Sequence, residues 1–165
     1  MNLEEWIRQI TDSGNLCDTY IGKVSASKSN RQLFDVVLSG DGIYYLPKMT
    51  EMGFPLDYSV LTSRFMPYLN NRYTGRYASA SGDEYTSSLY CLYSGEIVAQ
   101  TTQICLLGCD ISITINEGDL VRIYADRNTS LSISCVGNGQ CIVVLYGNAK
   151  LKNIQEAKNI KIINR

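Results

Sequence analysis

The chain has 165 residues, with 15 Lys and Arg against 16 Asp and Glu and no histidine. That length suffices for one domain or two small ones with a buried core. The charge is spread evenly, with 7 basic and 8 acidic residues before Gly75 and 8 of each after it, which excludes the basic excess of a nucleic-acid or anionic-membrane binder.

The N-terminus, MNLEEWIRQI, carries acidic residues where a secretory signal needs basic ones, and no apolar run approaches the roughly 18 residues of a membrane span. The expected address is the cytoplasm of the producing cell. From Leu3 to about Tyr73 the apolar spacing is helical. Leu3, Trp6, Ile7 and Ile10 share one face, with Gly14 and Asn15 as a stop. Leu16 to Val24 predicts a second short helix. Ser29 or Asn30 caps a third that presents Leu33, Phe34, Val37 and Leu38 until Gly40 and Gly42. A short helix around Pro47 follows. Asp57 then caps a helix with Val60, Leu61, Arg64, Phe65 and Leu69 on one side, which Pro67 kinks or ends. Residues 1–73 therefore read as a small helical bundle.

Residues 74–84, TGRYASASGDE, have no apolar period and read as a linker to a β domain over 85–165. There the pattern turns to alternation: Leu89, Cys91 and Tyr93 alternate, Ser94-Gly95 reads as a turn, and EIVAQ and QICLL read as short strands. From Asp110 the chain falls into rows of ten. The second, fourth and sixth places are Ile111, Ile113, Ile115; Val121, Ile123, Ala125; Leu131, Ile133, Cys135; and Cys141, Val143, Leu145. Strand side chains alternate faces, so all four triplets can point into one interior. The ninth places, Gly118, Asn128, Asn138 and Asn148, are residue types that tolerate a left-handed corner.

Two folds keep that beat. In a β-solenoid with two strands per turn, Ile111 lies near Leu131 and then Leu151, Ile113 near Ile133, and Val121 near Cys141. An antiparallel β-sandwich is the alternative, but it demands no likeness at a spacing of twenty. The fold class expected is thus α+β: a helical N-terminus followed by a solenoid-like β domain.

The outward residues distinguish the two sides of such a solenoid. Ser112, Thr114, Ser132, Ser134 and Lys152 suit water, whereas Tyr124, Ile142, Val144 and Tyr146 form an apolar flank and a candidate interface. That flank is to be covered by the helical half, by copies of the chain, or by a ligand. A second candidate is the tyrosine cluster around the linker, with Tyr73, Tyr77, Tyr85, Arg72 and Arg76 as a saccharide- or protein-binding surface.

Chemistry is sparse. Without histidine, Ser-His-Asp and Cys-His nucleophile systems are excluded. The carboxylates Asp83 with Glu84, and Glu117 with Asp119, could form glycosidase pairs, but polar turns are where solvated carboxylates belong. The six cysteines include no C-x-x-C pair and read as reduced, small buried hydrophobes. No metal, cofactor or catalytic residue is expected.

The stretches NRQLFDVVLSGDGIYYL, VRIYADRNTSLSISC and IVVLYGNAKL resemble small proteins encoded by gut Bacteroidales and their phages, which pair a helical N-terminus with strand repeats ending in Gly-Asn-Ala. Here Gly-Asn-Ala stands only at Gly147 to Ala149, and the last rows drift from the register. The resemblance implies a phage or mobile-element origin and no chemistry. The expectation is a non-enzymatic, virion-associated or accessory structural protein that forms homo-oligomers or joins a larger viral assembly. A carbohydrate-binding module is the alternative.

Overall fold

In a computed structural model of the chain, the described residues are 3–12, 16–37, 39, 42, 72–78 and 84–165. Three short helices come first: α1 (Leu3–Asp12), α2 (Asp18–Ser25) and α3 (Asn30–Val37). α2 packs against both of the others, with Tyr20, Val24 and Leu33 fully buried. Ser29 caps α3: its hydroxyl accepts from the Gln32 N–H at 3.2 Å, and the Gln32 side chain accepts from the Lys28 N–H at 2.7 Å. This is a capping box shifted by one residue at its outer bond. The helices expected around Pro47 and after Asp57 lie outside the described residues.

Ten strands follow: β1 (Arg72–Ala78), β2 (Glu84–Cys91), β3 (Ser94–Val98), β4 (Gln103–Leu107), β5 (Asp110–Ile115), β6 (Leu120–Ala125), β7 (Ser130–Cys135), β8 (Gln140–Leu145), β9 (Lys150–Gln155) and β10 (Ile160–Asn164). They form two sheets, ordered β1-β2-β4-β6-β8-β10 and β3-β5-β7-β9. From β2 onward, successive strands alternate between the sheets and like pairs with like in parallel, which is a β-solenoid with two strands per turn. The sandwich alternative is overturned, because it needs antiparallel neighbours and every pair from β2 onward is parallel.

The stacking follows the twenty-residue spacing: Ile111 pairs with Leu131 and Leu131 with Leu151, Ile113 with Ile133, and Val121 with Cys141. The inward triplets form one continuous core, flanked by Tyr90, Ile104, Leu106 and Cys109 from the earlier coils. Each large apolar side chain buried here contributes about 1.5–3 kcal/mol. The first coil is shorter, since Ser87 pairs with Gln103 and Ser94 with Asp110.

Several details differ from the sequence reading. Ser94 and Gly95 begin β3, and the turn before it falls at Leu92, whose φ is 52°. The stretch read as a linker supplies most of β1, which pairs antiparallel with β2 and closes the first edge of its sheet. Its Gly, Arg and Tyr composition hid a strand whose stability comes from its partner. The tail keeps the beat as well. Corners starting at Asn116, Asp126, Val136, Tyr146 and Glu156 are all closed by an N–H of the fourth residue donating to the carbonyl of the first, at 2.9–3.2 Å. The only slip in β9 is one extra residue after the Leu131 pairing.

The ninth-place asparagines do not take the left-handed conformation. Gly118 does, at φ 80°, but the next left-handed corner residues are the eighth-place Gly137 and Gly147, at 56° and 57°. Of the asparagines, Asn138 bonds along the column of corners, and Asn159, at the end of the last row, does the same. Gly118 N–H donates to Asn138 Oδ1 at 2.8 Å, and Asn159 Nδ2 donates to the Gly137 carbonyl at 3.1 Å. Each side chain thereby satisfies the corner one coil earlier.

Gly139 marks the tightest contact between corners, since a Cβ there would lie 2.3 Å from the carbonyl oxygen of Asn116, whereas a Cβ on Gly118 would meet nothing. Gly118→Ala should therefore cost about 1–2 kcal/mol for its backbone conformation alone, and Gly139→Ala more, because backbone must move. Urea unfolding followed by far-ultraviolet circular dichroism checks the order of the two losses.

Candidate functional site

Toward the C-terminal ends of its strands, the sheet containing β2, β4, β6 and β8 is buried on both sides. Its outward residues Leu89, Cys91, Cys105, Leu107, Tyr124, Val144 and Tyr146 are as buried as the core, and Ile142 is half-buried. The continuous apolar run of β4 is the sequence signature of such a sheet. The candidate interface residues Tyr124, Val144 and Tyr146 are thus buried within the fold.

The other predicted cluster lies on the β1–β2 hairpin. Tyr77 pairs with Tyr85 and Tyr73 with Leu89, while Arg76 pairs with Thr86 and Arg72 with Tyr90.

The cysteines are all free, with Cys17 exposed and five buried. Burial pushes the Cys91 and Cys141 thiols up to about 12 and Cys109 to about 11, and raises Cys105 and Cys135 as well. These are packing residues with little thiolate character. Among the described residues no group of three or more Cys, Asp or Glu is placed to hold a metal ion, and no helix is long and apolar enough to cross a membrane.

One ionisable group is buried without being a core hydrophobe. Asp126 is fully covered at the corner after β6, where its Oδ1 accepts from the Gly108 N–H at 2.9 Å and from the Thr129 hydroxyl at 2.8 Å. The Thr129 oxygen in turn accepts from the Cys109 N–H at 3.2 Å. Asp126 and Thr129 thus clamp their corner onto the one before. Desolvation raises the Asp126 carboxyl above its ordinary 3.8, against the opposing effects of the Gly108, Thr129 and Asn128 hydrogen bonds and the Arg127 charge.

Sequence reasoning missed an open groove of about 640 Å³ across the corners that lead into β4 and β6. Its polar wall comes from paired strands: Gln103 stands directly beside Arg122, and Ser87 stands on the other side of Gln103. Ser87 donates its hydroxyl to Gln103 Oε1 at 3.3 Å. Gln103 is only 7% exposed, and among the described residues no group accepts its amide hydrogens. Thr86 and Thr102 lock the rim, each N–H donating to the other's hydroxyl oxygen at 3.2 Å. Asn116 and Asp119 face them from the next corner, and the exposed Arg122 and Asp119 form no ion pair among the described residues. The sequence signal was slight: Arg122 is the lone charge on the apolar flank, and Asp119 looked like an ordinary turn carboxylate.

A second, shallower trough of about 310 Å³ crosses the outer face of the other sheet, with Ser112, Thr114, Ser132 and Ser134 between Glu96 and Gln155. This is the water-facing side that the row pattern assigned to solvent. No family model, curated protein or solved structure matches the chain.

Two predictions follow from the buried groups. Because the folded-state Asp126 carboxyl titrates above its unfolded value, its stabilising contribution is complete below about pH 4 and is lost as pH rises through the folded-state value. Asp126→Asn keeps an acceptor and removes the charge, so it should be at least as stable as the parent at pH 7 and lack that decline. Asp126→Ala strands the Gly108 and Thr129 donors and should cost about 1–3 kcal/mol. Urea unfolding at pH 4 and pH 7 separates the three proteins. Val144→Lys puts a charge into the covered flank and should lower the unfolding midpoint by several kcal/mol of stability without changing the particle mass by light scattering. A fall in mass at unchanged stability would instead make the flank a contact between copies.

Proposed function

We propose that the chain is a non-enzymatic structural protein, a virion-associated or accessory phage component, in which the helical half forms a small bundle that docks on a larger assembly and the solenoid projects from it. The observation that carries this reading is the two-sided character of the solenoid. One sheet buries much of its outward apolar face, while the other turns a row of hydroxyls outward. A rod held along one side and polar along the other is suited to projection.

The far end of the rod is consistent with that role. β9 and β10 are the last strands of their sheets, and residues 150–165 carry Lys150, Lys152, Lys158, Lys161 and Arg165 against Glu156 alone. Lysines on an open edge oppose pairing with an identical edge. Self-association, if it occurs through this end, needs an acidic counterpart rather than a second copy of the same edge.

A carbohydrate-binding module is the second reading, and the polar groove beside Gln103 and Arg122 favours it. The first reading is tested by mass spectrometry of gradient-purified virions from cells that encode the chain. Its peptides should appear at a fixed ratio to the major capsid protein. Peptides confined to the cell lysate would overturn the virion assignment.

A further inference from the structure

We propose that the groove between the β4 and β6 corners binds a carboxylate-bearing saccharide, with Arg122 and Gln103 holding the carboxylate and Asn116 and Asp119 the ring hydroxyls; this rests on the carbohydrate-binding reading. Three observations point there. The Gln103 amide is almost fully buried, lines the groove and has its oxygen bonded to Ser87, so its two N–H groups are left for a ligand. Turning the amide over would strand its oxygen instead, and Ser87 would accept rather than donate, so one end of the group is orphaned in either orientation. A buried polar group without a partner costs stability unless something bound supplies the partner.

The neighbour in register is a guanidinium. Gln103 and Arg122 are direct partners on adjacent parallel strands, roughly 4.8 Å apart, so their side chains leave the sheet side by side on one face, and both line the groove. Five guanidinium N–H groups and two amide N–H groups with no carboxylate of the described residues bonded to them call for an anionic oxygen pair. The chain's net charge is −1, which gives an anion no general attraction, so any affinity has to be local.

The rest of the groove selects a sugar over a peptide. β2, β4 and β6 are paired on both sides, so no free strand edge is open there for an extended peptide to join. What the groove offers is side-chain chemistry: the Asp119 carboxylate and the Asn116 amide, both on the corner between β5 and β6, and beside them Leu120, 51% exposed. Carboxylate and amide groups suit vicinal hydroxyls, and a single exposed leucine suits the C–H face of a pyranose ring. The Thr86–Thr102 pair fixes the rim by reciprocal hydrogen bonds, so the site is formed before the ligand arrives. A volume of about 640 Å³ lies within the usual range for small-molecule sites.

The test uses the full chain, α-1,4-linked trigalacturonate, and the methyl ester of the same trisaccharide, with calorimetry and amide chemical shifts as readouts. The expected result is binding of the acid, weakening with added salt, shifts at Thr102, Gln103 and Arg122, and little or no binding of the ester. Arg122→Ala should lower affinity about tenfold or more, as loss of a charge-assisted pair does. Arg127→Ala, at the opposite column of corners, should leave it unchanged. Circular dichroism should show both variants folded, since both side chains are exposed. Equal binding of acid and ester overturns the carboxylate assignment and leaves the carbohydrate reading standing. Binding that survives Arg122→Ala overturns the location. Binding of neither sugar overturns this inference and the carbohydrate reading together, and leaves the virion reading to its own test.

Discussion

The parallel backbone ladder that seats each strand on the one a coil earlier, at a spacing of twenty residues in the middle of the stack, is the constraint on which the rest of the structure depends. Side chains alternate along a strand, so a slip of one residue would turn every inward isoleucine to solvent and every outward group into the core. The ladder also builds the groove. Arg122 stands beside Gln103 only because β4 and β6 are paired at that register, and a slip would carry its guanidinium inward, where no partner waits.

The corners defend the register with polar bonds that the core cannot supply. Apolar packing is indifferent to small displacements along the strand, whereas Asn138 on Gly118, Asn159 on Gly137, and the Asp126–Thr129 pair on residues 108 and 109 each have one geometry in which they bond. The buried carboxylate is the costly member of the set. Its desolvation opposes the hydrogen bonds it accepts, so its value lies in fixing one arrangement of two corners more than in net stability.

How much of this was legible depended on whether a segment's own residues or its neighbours decide its structure. The rows from Asp110 onward were readable because Ile111, Ile113 and Ile115 and their counterparts repeat at one spacing, and the core they make is their own. The first coil was less readable. It closes in sixteen residues rather than twenty, and its turn uses Leu92 in a left-handed conformation that the neighbouring Ser94-Gly95 seemed better suited to supply. β1 was invisible because nothing in Arg72 to Ala78 demands a strand except the partner lying beside it. The ninth-place asparagines suggest left-handed corners, but Asn138 reaches across to the previous coil instead, a role that its local backbone preference does not reveal. The groove escaped notice because it joins Thr86, Gln103, Asn116 and Arg122, which come together only after the coil closes. The apolar flank was recognised from Tyr124, Val144 and Tyr146, but its burial within the fold has no signature in those residues.

The repeat makes chain length a ruler. Each twenty residues added in the middle coils would raise the stack by one strand spacing, about 4.8 Å, and leave every existing side chain on its own face, whereas one added residue inside a strand would invert a whole row. The protein is therefore open to lengthening by duplication in whole coils and closed to nearly every other insertion within its strands. The antiparallel β1 breaks this series at its start: a strand running the other way offers the next coil no edge of the same polarity, so growth of that kind belongs to the interior of the stack.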